Sequence, residues 1–166
     1  MKNLILTIKA FLFTITLSAQ SVVDVAVSNK DFSTLVTALK AADLVSALSG
    51  EGPFTVFAPN NEAFAKIDSE TLGNLLEPEN VKALSNILTY HVVSGKLMAS
   101  DVAAALKKGY GRAKLTALNG QTLTARKKDG KIYLKDSQGN MSEIIATDVA
   151  GSNGVIHVIS SVVMPD

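Results

Sequence analysis

The stretch Gly52–Phe64, GPFTVFAPNNEAF, limits what this chain can fold into more than any other. Phe54–Ala58 sets aromatic and β-branched side chains behind a Gly-Pro pair, the composition of a short buried strand. Pro59 has no N–H to give a ladder, so pairing is expected to stop there. Asn60 suits a helix N-cap, and Glu62 falls in the first turn, where the helix dipole favours a carboxylate. Phe64 and Ile67, three apart, then turn back onto the strand's apolar surface. The segment is a junction between a sheet and a helical layer, and it carries no reactive group.

Ahead of this junction, residues 1–19 read as a secretory signal peptide. Lys2 gives a positive start, the apolar run culminates in Phe11–Leu17 (FLFTITL), and Ser18-Ala19 ends it with small residues. With its flanks it is too short to span a bilayer. Residues 20–166 then form a single domain with fourteen Lys and Arg against fifteen Asp and Glu. A domain of this size buries ~70% of its unfolded surface, enough for a core without staples. The chain has no cysteine, so export to an oxidising compartment would require no disulfide. The same absence excludes a thiolate nucleophile, a zinc–thiolate site and a lipid-modified cysteine. Balanced charge gives no electrostatic reason to expect nucleic acid. After residue 20, no apolar run reaches the ~20 residues of a transmembrane helix.

The segments before and after the junction follow a helical pattern. Ser21–Val27 is a short helix or an extended lead-in. Asp31 is placed to cap a helix whose Phe32, Leu35, Val36 and Leu39 make one apolar stripe. Asp43 is placed to cap a shorter one with Leu44, Val45 and Leu48, ended by Gly50. Ser69 would cap Glu70–Leu76, and Pro78 would open a helix over Glu79–Leu88 with Val81, Leu84, Ile87 and Leu88 inward. Tyr90–Val93 reads as a strand closed by Ser94-Gly95, and Leu97–Leu106 as a helix stopped by Gly109.

From Arg112 the texture changes to short runs: Lys114–Leu118, Gln121–Arg126, Lys131–Leu134, Ser142–Ala146 and Val155–Val163. Asn119-Gly120, Asp129-Gly130, Gln138-Gly139 and Asn153-Gly154 separate them, pairs suited to the positive φ of tight hairpins. Helices first and a meander of strands afterwards predict an α+β domain with an antiparallel sheet.

Three motifs now stand in order: Thr55–Phe64 (TVFAPNNEAF), the Tyr90-His91 pair, and Asn153–Ile159 (NGVIHVI) followed by Met164-Pro165. Together they resemble the two boxes and central tyrosine–histidine motif of the fasciclin (FAS1) family, across about residues 21–165. Thr55, Phe57, Pro59, Asn60, Phe64, Gly154 and His157 are the residues of the boxes. The resemblance implies an antiparallel β-sandwich or wedge with several helices packed along one side. It also implies a link to adhesion through Tyr90 and His91. Ser160 stands where relatives commonly carry aspartate, so no charge is available there for a salt bridge or metal.

Fold alone does not supply function, so each reactive group has to be taken by itself. His157 lies on a run apolar on both faces, sharing one face with Val155 and Ile159, and is expected to be buried, hydrogen-bonded and neutral. His91 is expected to brace a strand against the core. Neither has a ligating partner at i+2, i+3 or i+4, so no metal site is expected. Asp148 and Ser152 would complete a Ser-His-Asp set with His157 on paper only, and no nucleophile elbow is present. Arg126, Lys127, Lys128 and Lys131 make a basic hairpin tip, a solvated turn or a contact for acidic polysaccharide or anionic surfaces. The expectation is a secreted, periplasmic or cell-surface binding module without catalysis, cofactor or metal. Its partner would be a protein or polysaccharide. The alternative is a carrier of an apolar small molecule, a lipid or pigment, in a groove between helices and sheet.

Overall fold

The computed structural model describes residues 19–166, so the expected signal peptide lies, but for Ala19, outside the described residues. Seven helices are present: α1 (Val22–Ser28), α2 (Ser33–Ala41), α3 (Val45–Ser49), α4 (Asn61–Phe64), α5 (Ser69–Leu75), α6 (Val81–Tyr90) and α7 (Ala99–Lys108). Seven strands complete the described residues: β1 (Phe54–Pro59), β2 (Val92–Ser94), β3 (Arg112–Thr116), β4 (Thr122–Lys128), β5 (Lys131–Lys135), β6 (Met141–Gly151) and β7 (Gly154–Ile159). The strands form one sheet in the order β2-β1-β7-β6-β5-β4-β3. All neighbours are antiparallel except β1 and β7, which run parallel from Phe54↔Gly154 to Pro59↔Ile159. The fold class is therefore α+β as read from the sequence, with a mixed sheet that curls nearly into a barrel. Its outer strands meet: Val93 bridges Ala117, and the Leu118 N–H donates to the Val92 carbonyl at 2.8 Å.

Alternation along β1 and β7 builds two cores rather than one interior. Val56, Ala58 and Ile156 face the helices and pack with Phe32, Leu35, Leu39, Leu84 and Leu88. Phe57 and Ile159 point the other way, into the barrel, with Tyr90, Leu106, Leu115, Leu123 and Leu134. Strands buried on both faces read as unbroken apolar runs, which is why β1 and β7 are legible in the sequence.

Several local expectations are corrected. Asn29, not Asp31, caps the turn Lys30–Phe32 that leads into α2; its Oδ1 accepts the Asp31 N–H at 3.0 Å. Asp43 adopts a left-handed φ of 56° before α3 and does not cap it. Asp68, one residue before Ser69, caps α5 by accepting the Thr71 N–H. Pro78 opens a 3-10 turn, Pro78–Asn80, ahead of α6. Tyr90 and His91 are not a strand: Tyr90 is the last residue of α6 and His91 its C-cap. A short, nearly continuous apolar run such as Tyr90–Val93 cannot be told from a buried helix end by period alone.

Candidate functional site

Both imidazoles act as braces, in opposite tautomers, His157 from β7 and His91 from the C-cap of α6. His91 is 2% exposed. Its Nδ1 lies 2.8 Å from the Ile87 carbonyl, one turn back on α6, and so carries the proton. Its Nε2 accepts the Val163 N–H at 3.1 Å, tying down the tail that follows β7. Burial pushes its pKa down to about 4, against the Ile87 hydrogen bond and the charge of Asp136, which favour the cation. His157 uses the other arrangement: Nε2 donates to the Leu97 carbonyl at 2.6 Å and Nδ1 accepts the Asp148 N–H at 3.3 Å. The register of β6 against β7 slips between Ala146 and Val149, and the bulge brings the Asp148 N–H to the ring. The Asp148 carboxylate points elsewhere, accepting the Ala99 N–H at the start of α7 at 2.8 Å. No Ser-His-Asp relay is assembled, because the aspartate meets the ring through its backbone alone. Phe57 and His157 are directly paired in register, with ring centroids 5.6 Å apart.

Tyr90 is fully buried in the barrel. Its hydroxyl donates to the Thr122 carbonyl at 3.1 Å and accepts the Ser137 N–H at 3.0 Å. Burial raises its pKa, aided by the charges of Asp136 and Asp166 and opposed by the Ser137 contacts. The tyrosine–histidine pair is therefore inward, and neither side chain is presented to a partner.

The box residues are also structural. Asn60 caps α4 through its Oδ1, which accepts the Ala63 N–H at 2.9 Å. That helix is a single turn, yet it buries Phe64 and brings Ile67 onto the helical-side core. Pro59 ends β1 opposite Ile159. Thr55 is buried, donating to the Gly95 carbonyl at 2.6 Å and accepting the Leu97 N–H at 2.8 Å. Gly154 opens β7 where the β1 backbone passes so close that a Cβ would collide with the Phe54 oxygen. It is needed for space and not, as the Asn-Gly pair suggested, for a left-handed turn residue. Sequence reasoning missed Asn153 beside it. The Asn153 amide donates to the Leu48 and Gly50 carbonyls and its oxygen accepts the Val22 N–H, all at 2.8–2.9 Å.

The basic hairpin is divided by the sheet. Arg126, Lys128 and Lys131 face outward, with Lys131 paired to Glu143 at 2.8 Å, while Lys127 pairs with Ile132 on the opposite face, beside α7. The Asp129-Gly130 turn has φ of 51° and 79°, as a tight hairpin requires. Among the described residues no group of His, Asp and Glu could hold a metal ion, and no helix is long and apolar enough to cross a membrane.

Set against known proteins, a fasciclin domain model matches residues 30–165. The chain belongs to the fasciclin family. Protein sll1483 of Synechocystis is 50% identical over 148 residues, covering 89% of this chain and 75% of that protein. A second Synechocystis protein, sll1735, is 38% identical over 87% of this chain and 97% of its own length. Among solved structures, a FAS1 domain pair from the insect cell adhesion molecule Fasciclin I superposes with a TM-score of 0.74 at 19% identity, over 86% of this chain and 50% of that one. That likeness is one of fold. In this fasciclin domain most residues of the three motifs are buried and hold the near-barrel together.

Proposed function

We propose that the chain is a non-enzymatic binding module, exported through the leader at residues 1–19 and acting from residues 20–166 at a cell surface or in a matrix. One observation supports this most directly: both imidazoles are spent on buried backbone hydrogen bonds, in opposite tautomers, and neither faces a cleft. The Fasciclin I domain pair belongs to a cell adhesion molecule, in keeping with a protein or polysaccharide partner. The carrier reading has one open space to draw on, a depression of about 580 Å³ between α7 and the sheet lined by Ala103, Leu106, Lys107, Lys127 and Ile132, and, among the described residues, none beneath the other helices. The apolar space lined by Val22, Leu35, Leu48, Val56 and Ile156 is about 10 Å³, against roughly 300–1,000 Å³ for small-molecule sites. The strand edges offer little either, since β2 and β3 close on each other.

The test is cell retention. Beads coated with the full protein are expected to hold cells of the source organism under flow, and beads coated with the heat-denatured protein are not. Equal retention by the two overturns the reading. So would a coloured or lipid extract recovered in stoichiometric amount from protein purified from its native source.

A further inference from the structure

Between Lys107 and Lys135 the chain carries nine lysines and arginines and a single carboxylate, Asp129, although residues 20–166 as a whole are one charge negative. The sheet register says where these cations point. Ala113, Leu115, Leu123, Ala125, Ile132 and Leu134 fill the barrel, so their neighbours along β3–β5 face solvent. One outward row across the sheet is Arg112, Arg126, Tyr133 and Glu143; the next is Lys114, Thr124, Lys135 and Met141. Lys128 and Lys131, also paired, extend the face toward the hairpin tip. Six cations thus share the outer surface of these strands with one acid, Glu143, already engaged by Lys131.

We propose that this outer face of β3–β5 binds a linear acidic polysaccharide bearing carboxylates or sulfates. The proposal deepens the surface-binding reading above and rests on it. Charge complementarity comes first: strands ~4.8 Å apart, with same-face residues ~6.7 Å apart along each, set the cations on a lattice of roughly one sugar residue's dimensions. A chain with regularly repeated anions meets such a lattice at several points at once. Arg126 adds a second reason. Its Nε is buried without a hydrogen-bond partner, beneath a depression of about 260 Å³ lined by Tyr110, Arg112, Lys128 and Met141. The guanidinium, which lines this depression between two more cations, can meet a carboxylate or sulfate through its terminal nitrogens. The third is Tyr133, whose ring stands mid-row between Arg126 and Glu143, with Thr122 and Thr124 hydroxyls on the adjoining strand. An aromatic ring with polar groups around it takes a sugar's apolar face and its hydroxyls together. Tyr110 and Met141 are the large exposed apolar side chains at this face, so vesicles are included among the probes below.

The test uses the full protein with polygalacturonate, neutral dextran and phosphatidylserine-containing vesicles as probes. Binding to polygalacturonate is expected, weakening steeply with salt because exposed charges are screened, with none to dextran. Arg126→Gln and Lys128→Glu are each expected to weaken it about tenfold, and Lys40→Glu on the helical layer to leave it unchanged. Tyr133→Ala should weaken it while Tyr133→Phe preserves it, a readout that charge alone would not give. Lys128→Glu sits at an exposed tip, so its result stands even if Arg126→Gln perturbs folding. Equal loss in Lys40→Glu, no loss in Lys128→Glu, or binding to vesicles in place of polygalacturonate would overturn the proposal. Cells held by beads while polygalacturonate is ignored would sink this inference and leave the adhesion reading standing.

Discussion

His91 makes the cost of a buried imidazole measurable. In the folded protein it stays neutral down to about pH 4, whereas in the unfolded chain it takes a proton near its ordinary value of 6.5. As pH falls through that window the unfolded state binds the extra proton, so stability is full above 6.5 and is lost progressively toward 4. The loss from this group totals about 3 kcal/mol. Urea midpoints taken across the window should therefore fall for the native protein. His91→Gln should begin less stable at neutral pH but show a shallower fall; an unchanged slope would assign the acid sensitivity elsewhere. Phe57, fully buried beside His157, is the second probe. Phe57→Ala is expected to cost ~3–5 kcal/mol as a cavity in the barrel, while Lys127→Ala stays within ~0.5 kcal/mol at an exposed position. Comparable melting shifts for the two would contradict the packing described.

Elements respond to substitution through their backbones, and the glycines separate the cases. Gly154 has no room for a Cβ because β1 lies against it; the added carbon would collide with the Phe54 oxygen and lie 2.8 Å from the Phe54 carbonyl carbon. Gly154→Ala must part the only parallel pair of the described sheet, and a loss above ~4 kcal/mol is expected in denaturant titrations. Gly73 is the contrast, an exposed position inside α5 with nothing within 4 Å of an added methyl. Gly73→Ala should stabilise by ~0.5–1 kcal/mol, since alanine gives up less backbone freedom in a helix. A destabilised Gly73→Ala protein would mean that α5 is not helical there.

Taken whole, the molecule is closed by its C-terminal tail. Val163 gives its N–H to His91, Met164 its N–H to the buried Asp136 carboxylate at 3.0 Å, and Gln138 donates to the Pro165 carbonyl at 3.1 Å. Asp136 also takes two donors from Asn140, so it anchors both the β5–β6 turn and the tail. A chain ended at Ser161 would leave the buried Nε2 of His91 without its donor, at ~1–3 kcal/mol, would take one of three donors from Asp136, and would empty the Val163 site. Such a protein is expected to lose its cooperative urea transition; a transition like that of the full chain would show the tail to be dispensable.

Residue chemistry written locally was readable in the one-dimensional chain. The buried β1 strand, the Asn60 cap, the Phe32–Leu39 stripe and the Asp129-Gly130 hairpin depend on neighbours within a few positions, and each formed where its pattern stood. Pairings over long separations were not readable. The parallel register of Phe57 with His157, the joining of β2 to β3 and the triple hydrogen bonding of Asn153 bring together residues up to 131 positions apart. No periodicity encodes such meetings. The same holds for the basic tip: the run Arg126-Lys127-Lys128 is plain in the sequence, but the pleat sends its middle member to the other face, and only the sheet gathers Arg112, Lys114 and Lys135 beside the rest. Local propensity decides what each segment is, whereas burial of two separate apolar surfaces, one beneath the helices and one inside the barrel, decides where it goes.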